Sequence, residues 1–425
     1  MATKLFHHRF IQESSIDYYV DPISGDNNNI GDITHPLKDL YEASSRVHGK
    51  LIKSCVVNVY LLGDVQEIPD FMIDSNWGGV VVVRGQRNLI GSGSITALQT
   101  YNLTTKEDQR ITDSGIPISW TASGFVGGMI VLTNGTNQDA YAWIYSDVGA
   151  GQAIISPFYN PNTGTFVEPQ VGDTYSVFSL TKITGGINGK GGLNGIALYD
   201  LHLEFDEAAW VDPIYINGGY FYMYGCIVDG LDDPGDPGDP YGHFSLQEGC
   251  VADVYGCWIK AHLRANSGSY LSLGCNLYTG FGTAPTADGG DSVVRIALPC
   301  TGYGEQTFLQ SRDGGGNVIV DTDSWYMAAN QTYGIYCRDN GKMQLKGKVW
   351  GYGITDYGVK MGANATILYS ANMQPDFVNN PIGPTYPTAQ IDLAGISIAY
   401  NDITNSDGAE NLMNGAQISP NYLSD

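Results

Sequence analysis

Apolar residues along most of this chain come in short runs of strand length, divided by Gly, Asn, Asp and Pro, which predicts many strands, tight turns and little helix. The clearest runs are CVVNVYLLG at 55–63 and GGVVVVRG at 78–85. A single helical pattern precedes them: Leu37, Leu40, Tyr41 and Val47 form one apolar stripe, with Thr34 as candidate N-cap, Pro36 near the first turn and Gly49 as the stop. Residues 100–183 have a hairpin rhythm, with strand-like runs joined by Asn-Gly, Pro-Asn and Gly-Asp turns, and predict a small antiparallel barrel or sandwich.

Residues 184–400 repeat. Tyr224-Gly225-Cys226-Ile227, Tyr255-Gly256-Cys257-Trp258 and Leu273-Gly274-Cys275-Asn276 share a Gly-Cys pair. Cys257 and Cys275 are 18 residues apart; Cys226 and Cys257 are 31 apart, or 19 once the 12-residue loop 231–242 is set aside. Three short strands and three turns fit such a step. The expected fold is therefore all-β: a right-handed parallel β-helix with a short capping helix and an inserted small antiparallel β module. The expected divisions are an arm at 1–16, the opening section of the solenoid with its helix at 17–95, the insert at 96–183, the main rungs at 184–400 and a tail or cap at 401–425.

Candidate chemistry sits on these strands. In GIALYDLHLEFD, residues 195–206, alternation sends Ala197, Tyr199, Leu201, Leu203 and Phe205 to one side and Asp200, His202, Glu204 and Asp206 to the other. Asp200 and Glu204, with Asp321 and Asp323 further on, are the carboxylates from which a glycosidase pair would be drawn. The loop LDDPGDPGDPYG carries Asp232, Asp233, Asp236 and Asp239, oxygen ligands of the kind Ca²⁺ takes, but without the spacing of a calcium loop; its Pro-Gly content marks an exposed excursion, and no metal or other cofactor is expected. The seven cysteines form no C-x-x-C pair and read as buried free thiols packed in the coil.

Composition narrows the partners. A net charge of −23 opposes nucleic acid and anionic lipid alike. No stretch of about 18 apolar residues is present to insert in a membrane. With 55 Gly, 28 Tyr and 15% charged residues, the chain suits a turn-rich β fold.

The opening YYVDPISGDNNNIGDITHPLKDLYEA, a strand, a Gly/Asn/Asp loop and a Pro-led helix, resembles the start of β-helix proteins from tailed-bacteriophage virions. The inserted stretch resembles a small β module of such proteins in Trp120, the Gly127-Gly128 pair and Gly172-Asp173-Thr174-Tyr175. The resemblance implies a homotrimeric virion-surface protein, made in the host cytoplasm without a signal peptide, which projects from the tail as a spike or decorates the head. Many such proteins bind or depolymerise surface polysaccharide. The expectation here is a structural component fixed to other virion proteins through the arm, with Phe6, Phe10 and Ile11 as anchor residues. The alternatives are a depolymerising glycosidase or lyase and a non-enzymatic adhesin that stacks host sugar on Tyr and Trp.

Overall fold

The computed structural model describes residues 11–369, 390–392 and 417–418, apart from 13, 48–50, 53–54, 67–69, 74–78, 101–108, 117–118, 192–194, 205–212, 231–242, 280–284, 305–306, 313–315, 323, 338–339, 347–348 and 362–365. Nearly all of it is β, with the helix Leu40–Val47 as the exception.

The chain coils so that each turn lays one strand on each of three parallel faces. The first face holds 13 strands, from Ile16–Val20 to Gln417–Ile418. The second runs through Leu201–Glu204, Ile227–Asp229, Trp258–Lys260, Leu277–Thr279 and Thr301–Gly304. The third runs through Ile187–Gly191, Ile214–Asn217, His243–Gln247, His262–Asn266 and Thr286–Asp288. This is a parallel β-helix. Its interior is stacked apolar residues: Leu198, Met223, Val254, Leu273, Ile296 and Val320 lie in register and are fully buried. In the next column Phe221 lies over Ala252, a large residue against a small one, as a close-packed interior requires.

The coil is longer than the expected 18–19 residues. Val251 pairs with Tyr270, 19 residues on, but Tyr270 pairs with Val293 at 23, Val293 with Asn317 at 24 and Asn317 with Lys342 at 25. The third Gly-Cys pair is also one residue out of step with the first two. Tyr199, Tyr224, Tyr255 and Gly274 form one column, so the corner after it is made by Asp200, Gly225, Gly256 and Cys275, all at positive φ (55°, 60°, 61° and 52°). The inward column beyond runs Cys226, Cys257, Asn276, Cys300. Buried Asn276 is satisfied there: its Oδ1 accepts from the Cys257 amide at 2.8 Å and its Nδ2 donates to the Val254 carbonyl at 2.8 Å.

That corner also corrects the alternation expected through residues 195–206. The bend at Asp200 shifts the phase: Ile196 and Leu198 point inward before it, and Leu201 and Leu203 after it, which leaves Tyr199 on the outside. Phe205 and Asp206 lie outside the described residues.

The helix is capped by Asp39, whose Oδ1 accepts from the Glu42 amide at 2.8 Å, and not by Thr34, whose hydroxyl donates to Asp32. It buries Leu40, Ala43, Ser44 and Val47, and Tyr41 faces solvent instead of joining the stripe. Gly49 lies outside the described residues.

Between the first-face strands Val80–Arg84 and Gly195–Tyr199, which pair directly, the chain makes an antiparallel module. Arg87–Ser94 pairs with Thr174–Thr184, which also pairs with Met129–Leu132, and Tyr141–Gly149 continues the set. The module has its own core of Trp120, Phe125, Ile130, Phe158, Tyr175 and Val177. Buried polar groups lock it: Trp120 Nε1 donates to the Gly151 carbonyl at 2.7 Å, and the Tyr175 hydroxyl donates to buried Asp113 at 2.7 Å. Thr174–Thr184 leaves the module at Thr181 and becomes a second-face strand of the coil.

Candidate functional site

The module lies against the outside of the coil. Met129, Val131, Trp143 and Leu180 from the module pack on Ile227, Trp258, Leu277 and Tyr303 of the second face. Trp143 sits 6.2 Å from the Trp258 ring and donates Nε1–H to the Gly256 carbonyl at 2.9 Å, and Tyr145 stacks on Tyr303 at 4.2 Å. At the edge of this contact, where the first face turns its corner, a cleft of 270 Å³ opens between Arg87, Tyr141, Tyr159 and Pro161 of the module and Tyr199, Asp200 and Tyr224 of the coil.

Tyr199 and Tyr224 of the cleft belong to a column along the first face. Pairing sets Tyr19, Tyr60, Arg84, Tyr199, Tyr224 and Tyr255 in line. Tyr19 stacks on Tyr60 at 4.9 Å, the Arg84 guanidinium lies 4.2 Å over the Tyr199 ring, and Tyr199, Tyr224 and Tyr255 follow at 5.4 and 6.0 Å. The column stops at Gly274, where a Cβ would lie 2.5 Å from the Tyr255 ring. Tyr159 reaches over from the module to stack on Tyr224 and Tyr255. The ring faces of Tyr199 and Tyr224 are thus taken up by their neighbours in the column, and what these two offer a ligand is edges and hydroxyls. Burial pushes the Tyr159 and Tyr224 hydroxyls above their ordinary range, so they remain protonated donors.

Among the described residues Asp200 is the one carboxylate lining the cleft. Its Oδ1 takes an ion pair from Arg87 Nη2 at 2.8 Å. Burial raises its pKa above the ordinary 3.8, and the charges of Arg87 and Arg84 work against that rise. Two further polar atoms of the cleft residues, Arg87 Nε and the Tyr141 hydroxyl, are buried and find no hydrogen-bond partner among the described residues.

The other carboxylates singled out in the sequence lie elsewhere. Glu204, on the second face, accepts from Lys182 Nζ at 3.1 Å and from the Thr184 hydroxyl at 3.0 Å. Asp321, on the first face several coils away, is held by Arg295 and Lys346. Asp323, the loop residues Asp232, Asp233, Asp236 and Asp239, and the arm residues Phe6 and Phe10 lie outside the described residues; Ile11 begins a short strand paired with Leu51–Ile52. Among the described residues no cluster of His, Cys, Asp and Glu is arranged to hold a metal ion. Burial raises the Cys250 and Cys300 thiols to about 12, which removes them as nucleophiles at neutral pH.

The second face carries one further charged group. Asp229 accepts from His202 Nε2 at 2.7 Å and pairs with Lys260 at 2.8 Å. Burial works to raise the Asp229 pKa, but the hydrogen bond from His202 and the charge of Lys260 outweigh it and hold it below 3.8. A lowered carboxylate contributes stability that is complete above its unfolded value and is lost as pH falls through its folded one. Urea unfolding of the wild type at successively lower pH is therefore expected to show an acid loss below about pH 4 that Asp229→Asn makes shallower. Parallel curves for the two proteins would count against the assignment.

The sequence pointed to Asp200 but missed Arg87, Tyr141, Tyr159 and Tyr224. For Tyr224 a signal was present, since Tyr199, Tyr224 and Tyr255 each precede a corner residue; for Arg87, Tyr141 and Tyr159, supplied by distant strands, no local signal was.

No family model matches the chain, and no curated protein matches it. Among solved structures it is similar to one titled glycoside hydrolase, at 8% identity over 88% of this chain and 92% of that one, with a TM-score of 0.27. It is also similar to the Gp54 tailspike of Acinetobacter baumannii bacteriophage AP22 in complex with capsular saccharide, at 11% identity over 82% and 73% with a TM-score of 0.16. The Pseudomonas phage phi297 tailspike gp61 follows at 10% identity over 81% and 68%, with a TM-score of 0.17. The fold rests on the strand pairing itself.

Proposed function

We propose that this chain is a surface β-helix of a tailed-phage particle that binds a glycan in the cleft between module and coil without cleaving it. The observation that carries this reading is the cleft itself: tyrosines and an ion-paired carboxylate line a space suited to one sugar ring, and two of the lining residues, Arg87 and Tyr141, hold buried polar atoms with no partner among the described residues. Cleavage would need a second carboxyl group about 5–9.5 Å from Asp200 in the same groove, and among the described residues the cleft lining supplies none. On this reading the coil is right-handed, the helix Leu40–Val47 caps its first rung, and the antiparallel strands form a barrel-like insert whose wall completes the binding site. Three copies assemble on the particle, and residues 1–16 join the chain to other virion proteins. The parallel-strand solenoid, the low charge content and the resemblance of the opening segment support this placement.

The test is to incubate the full chain with surface polysaccharide of the phage's host. Retention on the polysaccharide with no release of reducing ends is expected, and Tyr159→Phe, which removes one hydroxyl from the cleft, is expected to weaken binding about threefold to tenfold. Release of reducing ends that Asp200→Asn abolishes would replace binding by hydrolysis.

A further inference from the structure

Resting on the three-copy assembly of the proposed function, we infer that the copies stand side by side and parallel, in contact along one column on the outer side of the first face. Strand pairing sets Val56, Val80, Gly195, Tyr220, Val251, Tyr270 and Val293 in line down successive coils. These are outward positions, since the next residue of each strand points into the core. Tyr220 is 43% exposed and Val251 39%, and Val56, Val80, Tyr270 and Val293 are half-buried. A single apolar side chain at a surface means little, but a charge-free line of them about 29 Å long is a contact surface.

The other two faces differ. The second is covered by the module at Ile227, Trp258 and Leu277. On the third the outward positions are mostly polar: Tyr215 is followed in its column by Ser245, Arg264, Thr286 and Gln310, and beside it Asn266 stands in line with Asp288. Both faces are regular parallel sheet, so the preference of strands for Val and Tyr does not by itself explain the apolar column. That column turns polar at Asn317 and Lys342, which marks where the contact ends. Its straightness along the coil fits a second rod of the same kind. A threefold axis parallel to the coil sets each residue beside its own copies at one height, so any charge in the column would meet two like charges; none stands there from Val56 to Val293. Tyrosine and valine alternate from Tyr220 to Val293, so each layer of three rings has a layer of smaller side chains next to it. Glu248 and Asp291, exposed in the bends that lead into Val251 and Val293, form a charged rim. The cleft lies at the far end of these strands, about 13 Å from the column, and stays open to a glycan in the assembly.

Sedimentation velocity of the full chain, over a range of concentrations, is expected to show a species of three 45.8 kDa chains. Tyr220→Lys with Val251→Lys sets charge at two heights of the column and is expected to weaken association about a hundredfold or more. Tyr215→Lys, the same exchange on the third face, is expected to leave association within about threefold of the wild type. A second measurement does without a buried charge. Val251→Cys, treated with glutathione disulfide, is expected to join two copies through a disulfide, because the threefold contact sets the same residue of neighbouring copies side by side. The native cysteines are buried and do not compete. Association that survives Tyr220→Lys with Val251→Lys, equal loss on Tyr215→Lys, or a three-chain species that Val251→Cys does not cross-link overturns the inference and leaves the three-copy reading standing. If the wild type sediments as one or two chains at every concentration, the three-copy reading itself falls, and this inference with it.

Discussion

Trp143→Ala is expected to lower the stability of the folded chain by about 3–5 kcal/mol, the range found when a fully buried large aromatic is cut to a methyl group. Trp143 has no solvent exposure and lies at the centre of the contact between module and coil. Its ring rests against Trp258, and its Nε1–H is donated to the carbonyl of Gly256 at a corner of the solenoid. The substitution removes apolar contact on both sides and leaves a cavity that neither rigid neighbour can collapse to fill. Denaturant unfolding followed by tryptophan fluorescence measures the effect. Trp143→Phe, which keeps most of the volume but not the N–H, is expected to recover more than half of the loss. A cost below about 1 kcal/mol for Trp143→Ala would mean that the module is held to the coil elsewhere.

Gly256→Ala is expected to cost about 2–4 kcal/mol, from two separable sources. The first is its φ of +61°, which an L-residue adopts at a cost of about 1–2 kcal/mol. The second is the Tyr141 ring, whose nearest atoms lie 2.7–2.9 Å from where the new methyl group would sit. Neighbouring coils show that the first source alone is tolerated: Asp200 and Cys275 occupy the same corner column at +55° and +52°. The clash is therefore what makes glycine necessary at 256. A double-mutant cycle with Tyr141→Ala separates the two, since the clash vanishes in that background and the strain does not. A coupling energy of about 1–2 kcal/mol is expected; strict additivity would refute the steric assignment.

The coil was legible in the sequence because each inward column demands an apolar residue at every second place, and that demand is written into runs such as CVVNVYLLG. Its register was less so. The shared Gly-Cys pair marked the corner correctly at 225–226 and 256–257, but at 274–275 the glycine ends the tyrosine column and the cysteine itself takes the left-handed corner. Glycine is therefore not a sufficient mark of a corner here. The phase break at Asp200 was hidden for a related reason: alternation through a one-residue bend has the same polar and apolar pattern as a straight strand until the fold shows which side is inside. As for the cleft, Asp200 stood out as a carboxylate, while its partners Arg87, Tyr141 and Tyr159 are brought to it by the docking of the module, and no spacing along the chain encodes that meeting.

The direct pairing of Val80–Arg84 with Gly195–Tyr199 sets a timetable for synthesis. Val80 meets Gly195, 115 residues further along the chain. At a ribosomal rate of about 5–20 residues per second, the edge of Val80–Arg84 waits roughly 6–23 seconds for its partner. Every other step of the first face from Gly195 to Thr366 is closed within 31 residues. The third coil is thus the pause point of the growing solenoid, and the module made during that pause must deliver the strand Thr174–Thr184 before winding can resume.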